Sequence, residues 1–210
     1  MNTLYYAPGA CSLSVHLTLE WIGEPYRAIR VNPGDEEYKR LNPAGQVPSL
    51  EIDGGELLTQ CSAILGYLAH THPEAGLLGD TSALAQAKLA RWSAFFTGDV
   101  HPAFFPVFMP KRYTTDESEE ALQRVREAGL ALVRKRLDLL DAQLADRDHI
   151  VGDSRTYVDA YSVPMVRWAS SMLPEKLDGW AAVKRHHEAL LNDPAVRTVM
   201  ADEGLIKADD

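Results

Sequence analysis

Residues 3–22 read TLYYAPGACSLSVHLTLEWI, and this stretch decides the first half of the fold. Its first four residues, Thr3–Tyr6, are rich in β-formers and predict a strand that ends at a Pro-Gly turn. Residues 12–22 alternate like a strand, but their length, the serine at their start and the Gly and Pro after them favour a helix. Cys11 is therefore expected just before the first turn of a helix.

Further segments extend this α/β pattern through the first 70 residues. Residues 26–31 alternate and predict a second strand, while 47–52 and 56–58 predict a hairpin across an Asp-Gly-Gly turn. Apolar residues in 61–70 recur at helical spacing and predict a second helix. Residues 32–41, NPGDEEYKRL, are predicted to form a loop, so the expected order is β-α-β, loop, β-β-α.

The second half of the chain shows only helical patterns after the loop 72–82. Residues 83–109 are predicted to be helical in part, and 117–146 follow a long amphipathic period. Thr156–Asp159 is similar to a capping box and opens a predicted helix over 157–171. The sequence thus predicts a small α/β domain joined to a larger all-helical domain.

Charge and composition argue against several classes of function. The net charge is −9 over 210 residues, and no basic surface for phosphate backbones is expected, so nucleic acid is not an expected partner. No apolar run is long enough to span a membrane, and no secretory signal is expected at the N-terminus. The two cysteines, fifty positions apart, are expected to be thiols in a reducing cytoplasm. The histidine pairs lack companion ligands at a recognised spacing, so no metal site is predicted.

Cys11 allows two interpretations from its position alone. Unpaired N–H groups and the dipole at a helix start stabilise a thiolate there, whereas most free cysteines behave as small buried hydrophobes. A C-x-x-C redox motif would need a second cysteine where the chain has Ser14. No local dithiol cycle is therefore expected. The remaining possibility for redox chemistry is that Cys11 alone pairs with a small-molecule thiol.

Five motifs together resemble the bacterial beta-class glutathione transferases. They are LYYAPGACSLSVH (4–16), NPAGQVPSL (42–50), LLTQCSAILGYL (57–68), DVHPAF (99–104) and EGLIK (203–207). The resemblance implies a thioredoxin-like glutathione-binding domain over 1–78 and an all-α domain over 84–210 that contributes a hydrophobic co-substrate pocket. It also implies transfer of glutathione to electrophiles, with thiol–disulfide exchange as a second activity, and a homodimer in the cytoplasm.

The resemblance assigns catalytic roles to three residues. Cys11 matches the catalytic or glutathione-pairing cysteine, and Ser12 matches the small hydroxyl beside it. His101 matches a histidine near that cysteine, where an imidazole that titrates near neutral pH would exchange protons with a thiol. The expected nucleophile is either the glutathione thiolate or Cys11 itself through a mixed disulfide.

The resemblance also assigns glutathione-binding roles to four residues. Val47 precedes Pro48, which is expected to be cis, and the Val47 main chain is expected to dock the cysteinyl part of glutathione like an added strand. Gln60 and Cys61 match the pair that holds the γ-glutamyl end at a helix N-terminus. Cys61 replaces a serine and offers only a weak S–H donor, which predicts a weaker affinity for glutathione.

Two further departures from the family pattern support an alternative function. Pro102 stands where a lysine is frequent, and the acidic segment 32–41 offers few cations for the glycyl carboxylate. The alternative is a glutathione-transferase-like binding or partner module with little catalysis.

All five phenylalanines fall between residues 95 and 108. Some of these rings are expected in the core. Because Pro102, Pro106 and Pro110 are expected to break or kink the helix, others are expected to line a cleft for a hydrophobic electrophile.

Overall fold

The computed structural model describes residues 1–207, so the last three residues of the predicted domain 84–210 lie outside the described part. The strands are β1 (Thr3–Tyr6), β2 (Arg27–Arg30), β3 (Ser49–Glu51) and β4 (Leu57–Thr59). The helices are α1 (Leu13–Ile22), α2 (Glu36–Leu41), α3 (Cys61–Thr71), α4 (Ala83–Phe95), α5 (His101–Phe108), α6 (Glu119–Leu144), α7 (Tyr157–Met172), α8 (Ala181–Leu191) and α9 (Pro194–Asp202).

The four strands form one mixed sheet in the order β2-β1-β3-β4. β1 pairs in parallel with β2 through the α1 crossover, while β3 pairs antiparallel with both β1 and β4. This α/β unit followed by helices confirms the predicted fold class. The exact boundaries at 78 and 84 stay a prediction.

Helix α1 lies between the sheet and the helical region, which explains its ambiguous sequence. Leu13 and Leu17 pack in a cluster with α7 and α9, whereas Val15 and Leu19 pack with the sheet and α3. A helix covered on all sides needs apolar residues all round, so the usual one-sided period is absent. The prediction of a helix over 12–22 is confirmed.

The predicted loop 32–41 is wrong in its second half, where α2 forms. Its six residues are too short to show a helical period. Glu36 and Glu37 lie in its first turn and Lys39 and Arg40 in its last, a charge order that favours the helix dipole. Tyr38 of α2 is buried and lies 6.2 Å from the ring of Tyr5 in the sheet.

Pro102 and Pro106 do not break the helix, contrary to the prediction, whereas the helix does end just before Pro110. α4 continues through a π-helical turn, Phe96–Val100, directly into α5, and the His101 N–H donates to the Phe96 carbonyl five residues back. Pro102 lies just after the π-helical turn, at the second position of α5. Pro106 is tolerated inside α5, and α5 ends before Pro110.

The predicted capping box at the start of α7 is confirmed, with Thr156 and Asp159 as its two members. The buried Asp159 carboxylate accepts the Thr156 N–H at 2.7 Å and the Ile150 N–H at 3.0 Å, and contacts His186 Nε2 at 2.9 Å. Within residues 1–207, no helix combines the length and the apolarity needed to cross a bilayer.

Candidate active site

A cleft of about 660 Å³ opens where the starts of α1 and α3 face α5 and α7. The loop from Asn42 to Pro48 forms one wall, and the aromatic side chains of α5 and α7 form the opposite wall. Six of the seven predicted site residues line this cleft: Cys11, Val47, Pro48, Gln60, Cys61 and His101.

Cys11 lies in the turn before α1, with 8% of its surface exposed. As a thiol it donates to the Val47 carbonyl at 3.3 Å. Its pKa is lowered, chiefly by the neighbouring Cys61 thiol, and the N–H groups of Cys11 and Ser12 add to this effect against the opposing effect of burial. The lowered pKa of Cys11 favours the thiolate interpretation.

The Ser12 hydroxyl does not lie in the cleft beside Cys11, contrary to the expectation. Its hydroxyl is fully buried and bonds the Ala7 main chain, donating to the carbonyl and accepting from the N–H, both at 3.2 Å. The side chain therefore neither caps α1 nor reaches the cleft. The Ser12 main-chain N–H lowers the pKa of Cys11, but the hydroxyl does not. The expected role of the hydroxyl beside Cys11 is therefore corrected: it stabilises the turn before α1.

The Val47–Pro48 peptide bond is cis, as the resemblance implied. The loop before it is held by α2, because Tyr38 Oη and Asn42 Nδ2 donate to the Gln46 carbonyl at 2.7 and 2.8 Å. Both side chains are buried. The helix that sequence reasoning missed thus positions the Val47 main chain.

Gln60 and Cys61 begin α3 at the floor of the cleft. Gln60 is exposed and has a positive φ of 72°, and its side chain does not cap the helix. The first N–H groups of a helix have no partner within the helix, so they remain available to an anion. Cys61 is 5% exposed, and its thiol donates to the Cys11 carbonyl at 3.4 Å.

His101 lines the cleft, but burial changes its expected chemistry. Its ring packs 5.1 Å from Phe105 and 5.2 Å from Trp168, between centroids. Burial lowers its pKa to about 4, so the ring is neutral at neutral pH. The expectation of a histidine that titrates near neutrality is corrected: His101 can accept or donate a hydrogen bond, but it brings no positive charge.

The aromatic cluster divides between core and cleft, as predicted. Phe96 and Phe104 are fully buried, whereas Phe105 and Phe108 line the cleft. Trp168 stacks edge-on against Phe108 at 5.1 Å, and Tyr161 of the same helix also lines the cleft. Sequence reasoning missed these two α7 residues, because nothing in a buried helix marks which face meets a cleft.

Residues of the helical region bond the turn that carries Cys11 and stabilise it, and the sequence analysis assigned none of them a role at the site. Gly9 N–H donates to Glu203 Oε2 at 2.8 Å, and Trp168 Nε1 donates to the Gly9 carbonyl at 2.8 Å. The other Glu203 oxygen contacts His16 Nδ1 at 2.9 Å. The motif EGLIK contained Glu203, but only the fold shows its partner.

The cleft is neutral. Among residues 1–207, those that line it carry no acidic side chain, lysine or arginine. Polar groups available to an anion include main-chain N–H groups and the amides of Gln46 and Gln60, whereas the Asn42 amide is occupied by the Gln46 carbonyl and Ser49 Oγ. An anionic ligand would therefore depend on helix starts and amide groups.

Sequence comparison finds two family models on the chain. "Glutathione S-transferase, N-terminal domain" matches residues 9–71, and "Glutathione S-transferase, C-terminal domain" matches residues 98–194. Glutathione S-transferase GST-4.5 of Xanthomonas campestris pv. campestris is 38% identical over 205 residues, which cover 96% of this chain and 98% of that protein.

Solved structures with the same fold include two from sphingomonads. A sphingomonad glutathione S-transferase complexed with glutathione has a TM-score of 0.85 at 31% identity, covering 97% of this chain and 100% of that one. The beta-class glutathione S-transferase of Sphingomonas chungbukensis has a TM-score of 0.85 at 30% identity, with the same coverage.

Proposed function

Because the chain belongs to the glutathione S-transferase family, we propose that its cleft binds glutathione beside Cys11 and presents it to hydrophobic electrophiles and to disulfides. The chain is a transferase, and glutathione is its co-substrate. The observation that carries the assignment of the site is the meeting of Cys11, the Val47 carbonyl and the start of α3 in one cleft.

Glutathione is proposed to bind along the wall from Val47 to α3. Its cysteinyl main chain would pair with the Val47 N–H and C=O like an added strand. Its γ-glutamyl carboxylate would lie on the free N–H groups at the start of α3, with the Gln60 amide as a further donor.

Ionisation of Cys11 and docking of glutathione are coupled in this proposal. In the thiol form, Cys11 donates to the Val47 carbonyl, the same acceptor that the cysteinyl N–H requires. Loss of the Cys11 proton frees that carbonyl for the ligand. In disulfide exchange, the Cys11 thiolate then attacks the disulfide. In conjugation, the glutathione thiolate attacks the electrophile, and the N–H groups at the start of α1 stabilise that thiolate.

The electrophile is proposed to lie against the wall of Phe105, Phe108 and Trp168, whose rings suit a planar apolar molecule. A homodimer and a cytoplasmic location are part of the same proposal. Two free thiols at the site fit a reducing compartment.

Calorimetric titration with glutathione tests the proposed function. We expect saturable binding with a dissociation constant below about 1 mM, equal to roughly 4 kcal/mol of binding free energy. Gln60→Ala removes an amide at the start of α3 and is expected to weaken binding about 10-fold. Gln123→Ala removes an exposed amide on α6 and serves as the matched control. Absence of heat at millimolar glutathione would favour the partner module with little catalysis.

A further inference from the structure

The two cysteines of the chain meet at the cleft, although fifty residues separate them. The Cys61 thiol lies 3.4 Å from the Cys11 carbonyl oxygen, and each thiol shifts the pKa of the other. Ser14 Oγ donates to the Cys61 sulfur at 3.9 Å, and both cysteines are free. The sequence has no C-x-x-C motif at Cys11 and so predicts no local dithiol, but the fold brings a second thiol from α3.

Both thiols line the same cleft, so a ligand sulfur that reaches Cys11 lies on the open side of a pair. Cys61 lies slightly deeper than Cys11, at the start of α3. A disulfide formed at Cys11 would therefore have a ligand on its cleft side and a protein thiol beside it. This is the arrangement that a resolving cysteine requires.

We infer that Cys11 and Cys61 form a redox pair, in which Cys61 resolves the mixed disulfide between Cys11 and glutathione. The substrate class is a mixed disulfide of glutathione with another thiol, or glutathione disulfide itself. The inference rests on the proposed function, because it requires that Cys11 pairs with glutathione.

The reductive half begins when the Cys11 thiolate attacks the glutathione sulfur of R–S–S–G. The S–S bond of the substrate breaks, R–S⁻ leaves and takes a proton, and Cys11–S–S–G forms. Cys61 then loses its proton to the solvent of the cleft and attacks the Cys11 sulfur. Glutathione leaves as a thiolate and is protonated, so two protein thiols are oxidised and one disulfide substrate is reduced.

Two molecules of glutathione return the pair to its thiol form. The first attacks the Cys11 sulfur and releases Cys61 as a thiol, and the second attacks the glutathione sulfur of the new mixed disulfide. Cys11 is released and glutathione disulfide leaves. In sum, one R–S–S–G and one glutathione give R–SH and glutathione disulfide.

The two thiols are tuned in opposite directions, which assigns their order. The pKa of Cys11 is lowered, so Cys11 attacks first. Burial raises the pKa of Cys61 well above its ordinary value, and the hydrogen bond and the charge of Cys11 raise it further. Once Cys11 is bound in a disulfide, its charge is gone and Cys61 becomes easier to ionise.

The test is oxidation of the full chain with glutathione disulfide, followed by intact mass measurement and peptide mapping. The wild type is expected to lose the mass of two hydrogen atoms and to yield a cross-linked pair of peptides that contain Cys11 and Cys61. Cys61→Ser is expected to accumulate one glutathione adduct on Cys11 instead. Cys11→Ser is expected to form neither product.

The outcomes separate this inference from the proposed function. A stable glutathione adduct on wild-type Cys11, with Cys61 still free, would overturn the redox pair and leave the proposed function intact. No adduct and no cross-link in either wild type or Cys61→Ser would overturn both. Peptide mapping of the wild type decides the question even if Cys61→Ser fails to fold.

Discussion

Replacing Cys11 with alanine is expected to lower the rate of glutathione-dependent disulfide exchange by at least about 100-fold, because the attacking sulfur is removed. The main-chain N–H groups at the start of α1 and the N–H groups of α3 remain in the variant. Conjugation of glutathione to an electrophile is therefore expected to fall by less than about 10-fold, since glutathione supplies its own thiol. Steady-state assays of both reactions on one preparation measure the difference.

The contrast between the two reactions is the informative result. Equal loss of exchange and conjugation, with glutathione binding retained by calorimetry, would make Cys11 the obligatory nucleophile of both. Exchange that persists in Cys11→Ala would remove Cys11 from the mechanism. A thermal unfolding curve of the variant shows whether the fold is retained.

Replacing Glu203 with alanine is expected to destabilise the fold by about 3 kcal/mol, because it leaves buried partners without their acceptor. The carboxylate is fully buried and joins the Gly9 N–H to His16. In a chain of this size, such a loss lowers the unfolding midpoint by about 10 °C. Exchange activity is expected to fall as well, because Gly9 lies two residues before Cys11.

Two further variants serve as controls for the Glu203→Ala measurement. Asp202→Ala removes the same charge from an exposed neighbour and is expected to change stability by less than about 0.5 kcal/mol. Glu203→Gln keeps an acceptor for Gly9 or His16 and is expected to lose less stability than Glu203→Ala. Equal unfolding midpoints for Glu203→Ala and Asp202→Ala would contradict the proposed anchoring role of Glu203.

Local patterns in the sequence were sufficient where an element has a clear start and end. The strand Thr3–Tyr6 ends at a turn, and the helix 12–22 ends at glycine and proline, so both were predicted correctly. Helix α2 was missed because six residues carry no period. Its charge order, acidic first and basic last, was the one available signal.

Contacts between distant segments could not be predicted from spacing. The resemblance correctly named six residues that line one cleft. It could not show that the Cys61 thiol contacts Cys11, because the family pattern has a serine at position 61. Nor could it show that the Ser12 hydroxyl is used by Ala7. The pKa of His101 depends on how deeply α5 is buried, which no local pattern reports.

The central claim is that Cys11 is a stabilised thiolate in a glutathione-binding cleft, and its rate of alkylation as a function of pH tests this most directly. Iodoacetamide is expected to modify Cys11 at a rate that rises with pH with its midpoint below about 8.5, the pKa of an ordinary free thiol. Glutathione should slow the reaction, and Cys61→Ala should raise the midpoint. A wild-type midpoint at or above the pKa of a free thiol, together with no slowing by glutathione, would show that Cys11 is not a stabilised thiolate in a glutathione-binding cleft.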